Sequence, residues 1–271
     1  MRILICGDVD ARTGRESVAK WVPELKKKFS IDFVIVNADN AAGGFGITAD
    51  IANEFFAIGA DILTGGNHVF DQGGICAFLE TENRLLRPYN LTATTPGHGV
   101  SESTTAKGKK VVVIHLVGQR FMPMIGNDPF ESCSQILSKY TLGVNVDAIV
   151  VDFHAEFTSE KYALGHFLDG KVSAVVGTHT HIPTADEHIL EHGTAFQADL
   201  GMCGDYDSVI GAKKADIVEK FTKVHSKVKI QSATGESTFC ALMVDTDDKT
   251  GLAIAIRAFK LGGCIGQASI S

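Results

Sequence analysis

Short β-branched apolar runs alternate along the chain with stretches of helical periodicity, and the apolar runs end in Gly, Asn, Asp or His. Runs of this length bounded by turn residues are strand signals. They predict strands over residues 2–7, 32–37, 61–64, 110–117, 147–153, 173–177 and 194–199, then 227–231, 239–245 and 252–259. Between them, residues 15–29 place Val18, Trp21, Val22 and Leu25 on one helical face. That segment closes on Lys26, Lys27 and Lys28, where the helix dipole favours cations, and Pro23 predicts a kink. Residues 48–58 open on Thr48, a good N-cap. Helices are also predicted over 128–139, 159–168 and 215–224.

Alternation of strand and helix argues an α/β protein with a largely parallel sheet in its N-terminal part. The late strands have no helices between them, and VDTDDKTG at 244–251 reads as a hairpin turn, so an antiparallel part is expected there. There is no Pro-, Gly- or Ser-rich linker, no low-complexity stretch and no repeat. One domain spanning 1–271 is expected, with residues 201–223 as a candidate small cap.

The bulk properties narrow the setting. A chain of 271 residues can bury a substantial core, and 45% hydrophobic with 21% charged residues is ordinary for a soluble globular protein. No apolar run approaches the roughly 20 residues needed to cross a bilayer. The opening MRILICGDVD has too short an apolar run for a signal peptide, so a cytoplasmic protein without a membrane partner is expected. The net charge of −7, with only short lysine clusters at 26–28 and 107–110, argues against stable nucleic-acid binding. Those clusters read as a helix end and a hairpin. Cys6, Cys76, Cys133, Cys203, Cys240 and Cys264 show no CxxC spacing and read as reduced thiols.

The polar residues that follow the strands carry the chemistry. Successive strand ends deliver Asp8; Asp39 and Asn40; Asn67, His68 and Asp71; His154; and His179 with His181. In open α/β sheets, sites form beyond the carboxyl ends of the strands. In extended chain the period of two puts His179 and His181 on the same side. Each residue alone reads as a cap, turn or core residue, but one metal site accounts for all of them. His98, His115, His166, His188, His192 and His225 lie elsewhere and are expected to be structural or exposed.

Carboxylate, amide oxygen and imidazole together suit Mn, Fe or Zn rather than a thiolate site. The candidates Asp8, Asp39, Asn40, Asn67, His154, His179 and His181 outnumber the needs of one ion. Two ions about 3.5–4 Å apart are the usual clamp for phosphoryl displacement, with a shared water acting as hydroxide. Asp39 is best placed to bridge. His68, next to Asn67, is the candidate catalytic residue, donating a proton to a leaving alkoxide or neutralising phosphoryl charge. An amidohydrolase barrel also uses a histidine pair, but after its first strand; here the pair follows residue 175 and GNH at 66–68 would go unexplained.

The series GD at 7–8, Asp39-Asn40, GNH at 66–68, a lone His154 and GTHTH at 177–181 resembles the calcineurin-like metallophosphoesterases. The resemblance is closer to the YmdB-like bacterial phosphodiesterases and runs nearly end to end, through NADNAAGGFGIT, GGNHVFD, DFHAEFTSEK, VVGTHTHIPTAD and LGMCGDYDSVIG. It implies a four-layer α/β/β/α sandwich with mixed sheets. It implies that Asp8, Asp39, Asn40 and His181 hold one metal and Asp39, Asn67, His154 and His179 the other, with His68 catalytic. It also implies hydrolysis of phosphodiesters, notably 2′,3′-cyclic nucleotides, with iron, manganese or magnesium. The branch usually has glutamate where this chain has Asp39, and a small apolar residue where it has Asp10, which reads as an added ligand or a solvent-facing residue. The alternative function is a metal-containing nucleotide sensor with little turnover. Specificity loops are expected at 43–47, 123–128 and 201–209.

Overall fold

Each strand predicted within the first 200 residues forms, and so do the last two. The structure is a computed structural model that describes residues 1–124 and 126–266. In chain order its elements are β1 (Arg2–Cys6), β2 (Asp8–Val9), α1 (Ala11–Phe29), β3 (Phe33–Asn37), α2 (Ala49–Ala57), β4 (Ile62–Thr64), α3 (Ile75–Thr81), β5 (Leu85–Leu86), β6 (Val100–Thr104) and β7 (Lys110–Val117). Then come α4 (Pro129–Leu137), β8 (Ala148–His154), α5 (Thr158–Leu168), β9 (Ala174–Thr178), β10 (His188–Ile189), β11 (Ala195–Gln197), β12 (Met202–Asp205), α6 (Lys214–Thr222), β13 (Ser237–Thr246) and β14 (Ala253–Leu261).

Two mixed sheets result. One runs β2-β12-β13-β1-β3-β4-β5, with β14 on β13; the other runs β10-β11-β9-β8-β7-β6. The pleat sorts alternate residues into layers. Ile3 and Ile5 of β1 meet Val111, Val113, Val150 and Val176 of the second sheet in a core between the sheets. Leu4 and Cys6 face the other way, onto Val18, Val22 and Leu25 of α1. On the far side, Val112, Ile149 and Val175 pack against Ile136 of α4 and Leu164 and Leu168 of α5. Helix, sheet, sheet and helix therefore stack as the expected four layers.

The parallel registers set the site. Cys6 pairs with Val36 and Val36 with Leu63, so β1, β3 and β4 end level. Val117 pairs with His154 and His154 with Thr178, so β7, β8 and β9 do the same in the second sheet. The loops that follow meet at one edge of the sandwich.

Some expectations are corrected. Residues 227–231 form no strand; their side chains alternate in burial, but no neighbouring strand offers a ladder. Helix α1 begins at Ala11 rather than 15 and runs through Pro23 to Phe29. Its first turns bury Thr13, Gly14 and Ser17, small residues that give no apolar period. Thr48 caps α2 as expected, accepting from the Ile51 N–H at 3.3 Å. The hairpin joining β6 and β7 carries the second lysine cluster, and β13 pairs antiparallel with β14. Cys6, Cys133, Cys203 and Cys240 are buried free thiols, Cys76 and Cys264 exposed ones. No helix among the described residues is long and apolar enough to cross a membrane.

Candidate metal centre

Asp8 follows β1 and is fully buried; β2 pins it through parallel pairing with Met202. Asp39 follows β3, and its N–H donates to the Asn37 side-chain carbonyl at 3.0 Å. The loop after β4 passes over Asp39 at Gly66, whose φ is +52°. A Cβ there would stand 2.4 Å from the Asp39 carboxyl carbon and 2.7 Å from His154 Cε1, so only glycine permits the crossing. The Gly66 N–H donates to His115 Nε2 at 2.9 Å, which gives buried His115 a structural role beneath the site. The next two residues bring Asn67 and His68 to the edge.

Tautomers assigned from the hydrogen-bond network show which ring atoms point inward. Thr178 Oγ1 donates its single proton to Asp152 at 2.8 Å and lies 2.9 Å from His154 Nδ1, so Nδ1 carries a hydrogen. His154 Nε2 then presents a lone pair. It faces Asn67 Oδ1 at 3.0 Å, Asp39 Oδ2 at 3.2 Å and His179 Nδ1 at 3.2 Å. His179 Nε2 lies 3.1 Å from Glu156, so His179 Nδ1 is bare as well. His181 Nδ1 donates to the Ile210 carbonyl at 2.9 Å, leaving its Nε2 lone pair 3.1 Å from Asn40 Oδ1. The Asn40 amide nitrogen is committed to the Gly44 carbonyl at 2.9 Å.

Burial keeps these rings neutral. It holds His154 well below the ordinary imidazole range, lowers His181, and takes His179 down to about 3 with help from His154. Burial likewise raises Asp8, reinforced by Asp199 and Asp39, and pushes Asp39 up to about 6 against the opposing pull of His68. One ligand atom each from Asp8, Asp39 and His154 lie within 4.8 Å of one another. Converging lone pairs with no proton between them, beside buried carboxylates, are the donor set a cation satisfies. The residues present therefore fit metal ions.

All seven candidates reach this edge. His154 contacts Asp39, Asn67 and His179, and Asn40 with His181 forms an adjoining pair. Asp8 accepts from the His179 N–H at 3.2 Å. His179 and His181 line one cavity as expected, but the extended-chain reason for it is corrected. Strand β9 ends at Thr178, and the two histidines have φ of +104° and +66°, so the chain turns between them. One ring meets His154, the other Asn40. Asp199 holds that turn: it accepts from the Thr180 N–H at 3.1 Å, the Thr180 hydroxyl at 2.8 Å and buried Lys161 at 2.7 Å.

His68 is partly exposed at the rim. Its backbone N–H donates to Asp39 Oδ1 at 2.7 Å, and its Nδ1 meets Asp71 at 2.7 Å, leaving Nε2 for exchange with a substrate. The ring of Phe45 stands edge-on at 5.1 Å. From His68 and His181 a cavity of about 410 Å³ extends between Phe45 and α6, with Ile217, Phe221 and Ile230 among its walls. Of the expected specificity loops, 43–47 contributes directly; 201–209 contributes Val209; 123–128 does not line this cavity, and its residue 125 lies outside the described residues. Asp10 is 4% exposed, which corrects its reading as a solvent-facing residue; burial, with Asp205 nearby, raises it to about 7.

Sequence reasoning missed the residues that orient the donors: Thr178 and Asp152 behind His154, Glu156 behind His179, Asp199 and Lys161 behind the turn. Only DFHAE at 152–156, with acids two residues either side of His154, carried a signal.

Comparison with known proteins shows the family. The YmdB-like protein family matches residues 4–259. A Bacillus subtilis (strain 168) protein named 2′,3′-cyclic-nucleotide 2′-phosphodiesterase is 42% identical over 257 residues, covering 95% of this chain and 96% of its own. A putative phosphatase/phosphodiesterase of Mycoplasma pneumoniae is 32% identical, covering 91% and 89%. A crystal structure of a hypothetical protein from Thermus thermophilus superposes with a TM-score of 0.89 at 34% identity, covering 97% of this chain and 100% of that one. The crystal structure of a Mycoplasma pneumoniae phosphatase also gives 0.89, at 30% identity, covering 97% and 93%. With two mixed sheets, strand-end donors and this match from residue 4 to 259, the chain belongs to the YmdB-like family.

Proposed function

We propose that the chain is a dinuclear metal-dependent phosphodiesterase acting on small phosphodiesters, 2′,3′-cyclic nucleotides first among them. The observation that carries this is the set of bare imidazole nitrogens and amide oxygens that face one another at 3.0–3.2 Å beside buried Asp39. Asp8, Asp39, Asn40 and His181 would hold one ion, and Asp39, Asn67, His154 and His179 the other. Iron, manganese or magnesium suits these ligands, and zinc is compatible with them. Bound there, such ions supply positive charge for the phosphoryl oxygens and lower the pKa of water. The name of the Bacillus subtilis relative supports the substrate class.

The chain's own groups do the rest. His68, held through Nδ1 by Asp71, presents Nε2 to protonate the leaving oxygen. Thr178, Glu156 and the Ile210 carbonyl fix which nitrogen of each ring points inward. The apolar cavity takes the organic part of the substrate. We read 1–271 as one domain working in the cytoplasm; of the cap expected at 201–223, Met202–Asp205 is strand β12 of the first sheet, and we keep the residues after it as the cap.

Metal analysis of the purified protein, paired with hydrolysis of bis-p-nitrophenyl phosphate before and after chelation and Mn²⁺ add-back, tests the reading. About two metals per chain and activity that follows them is the expected result. Two metals without turnover would point to nucleotide sensing instead, and neither metal nor turnover would remove the proposal.

A further inference from the structure

One buried carboxylate in the cavity belongs to neither set of donors. Asp10 is the N-cap of α1, yet its side chain makes no capping hydrogen bond. Ala11 follows in the left-handed region at φ +48°, so the helix starts turned away from that carboxylate. Asp10 is 4% exposed, and its Oδ2 is buried without a hydrogen-bond partner. A buried carboxylate ordinarily collects donors. Among the described residues nothing donates to Oδ2. A Cβ at Gly211, where φ is +97°, would stand 2.6 Å from Asp10 Oδ2, so bare backbone lies against it. On the other side, a Cβ at Gly44 would stand 3.1 Å from Ser232 Oγ and 3.8 Å from Asp10 Oδ1. The nearby acid Asp205 already accepts from the Asp207 and Gly235 N–H groups and brings no cation.

Asp10 lines the cavity that opens from the metal centre. The other walls are largely apolar, and several stand exposed: Phe45 by 48%, Ile210 by 53% and Phe221 by 88%. Apolar walls with one or two fixed polar points are how a site takes a flat heteroaromatic ring and sets its orientation. An acceptor in such a place selects for a donor, because a ring without one leaves the carboxylate unpaired and desolvated.

We propose that Asp10 is a specificity-determining residue whose carboxylate accepts a hydrogen bond from an N–H of the substrate's base, seated in the cavity between Phe45 and α6. The inference rests on the phosphodiesterase reading and deepens it.

The test compares kcat/KM at pH 8, with the metal-loaded enzyme, for three substrates. They are 2′,3′-cyclic AMP, the 2′,3′-cyclic phosphate of purine riboside, whose base has no N–H, and bis-p-nitrophenyl phosphate, which has no base. The wild type is expected to favour the adenine substrate over the purine riboside one by about 10- to 100-fold, the range for a hydrogen bond to a charged group. Asp10→Ala is expected to bring that ratio to within about threefold of unity. Asp10→Asn, of the same shape and still an acceptor, is expected to keep part of the preference. A wild-type ratio near one, or a ratio unchanged in Asp10→Ala, overturns the inference and leaves the phosphodiesterase reading intact. An equal loss on all three substrates together with lost metal also overturns it, making Asp10 a support of the metal centre. If the metal-loaded wild type turns over none of the three, the phosphodiesterase reading fails and the inference fails with it.

Discussion

His68 serves the centre through two separable groups. Its backbone N–H anchors Asp39, while its imidazole is tied only to Asp71. Alanine keeps the first and removes the second. His68→Ala is therefore expected to lower kcat by about 10²–10⁴-fold, the range for a positioned acid, with metal content nearly intact. Loss of both metals from that variant, measured by elemental analysis, would make His68 a ligand instead. Asp39 behaves differently because both its oxygens are engaged, one by His68 and one beside His154. Asp39→Asn removes the anionic charge that either ion would share, so occupancy should fall at both positions. Unchanged occupancy would exclude a bridging role. The donors are legible in the sequence because a polar residue just past an apolar run stands out. Asp152 and Thr178 are not: one sits inside a buried strand and the other closes one, and only the fold shows that their polar atoms lie beside His154.

At the scale of elements, the turn 179–181 combines strain with support. Two non-glycine residues with positive φ persist only where surrounding structure holds them. Here the support is Asp199, which bonds Thr180 twice and pairs with Lys161 from α5. Removing the cation leaves a buried carboxylate with its hydrogen bonds but without its counter-charge. Lys161→Met is expected to cost about 3–5 kcal/mol of stability and to weaken metal binding, since the turn presents both histidines. A melting temperature and metal affinity equal to wild type would show that the turn holds itself. This element also marks where sequence reasoning stops. The strand leading into the turn is evident from its apolar run, but treating the next residues as extended chain carries the period of two past its end. Nothing in GTHTH announces that β9 ends at Thr178, because the restraint comes from Lys161 and Asp199, far along the chain in either direction. The short strands β2, β5 and β12 escape for a related reason: they pair only because the long strands are already in place.

Across the whole molecule, the candidate centre lies where the two sheets meet. Asp8, Asp39, Asn40 and Asn67 follow strands of the first sheet; His154, His179 and His181 come from the ends of β8 and β9 in the second. Below them the sheets pack through side chains, among them Ile3, Ile5, Val113 and Val150. Ions bound across that edge would tie the sheets together from the top, and they would also relieve the opposition of the converging lone pairs. Metal binding should then appear as folding stability. A ligand present at about 100 times its dissociation constant adds about 2.7 kcal/mol by mass action. At about 2–4 °C per kcal/mol for a chain of this size, chelation should lower the melting temperature by roughly 5–10 °C. Mn²⁺ should restore it in step with activity. The comparison that decides the matter is His154→Ala, which removes the second sheet's central donor: its melting temperature should respond little to chelator. A wild-type melting temperature that ignores the loss of bound metal would mean that the ions bind the folded chain no better than the unfolded one, and the tie between the sheets would go with it.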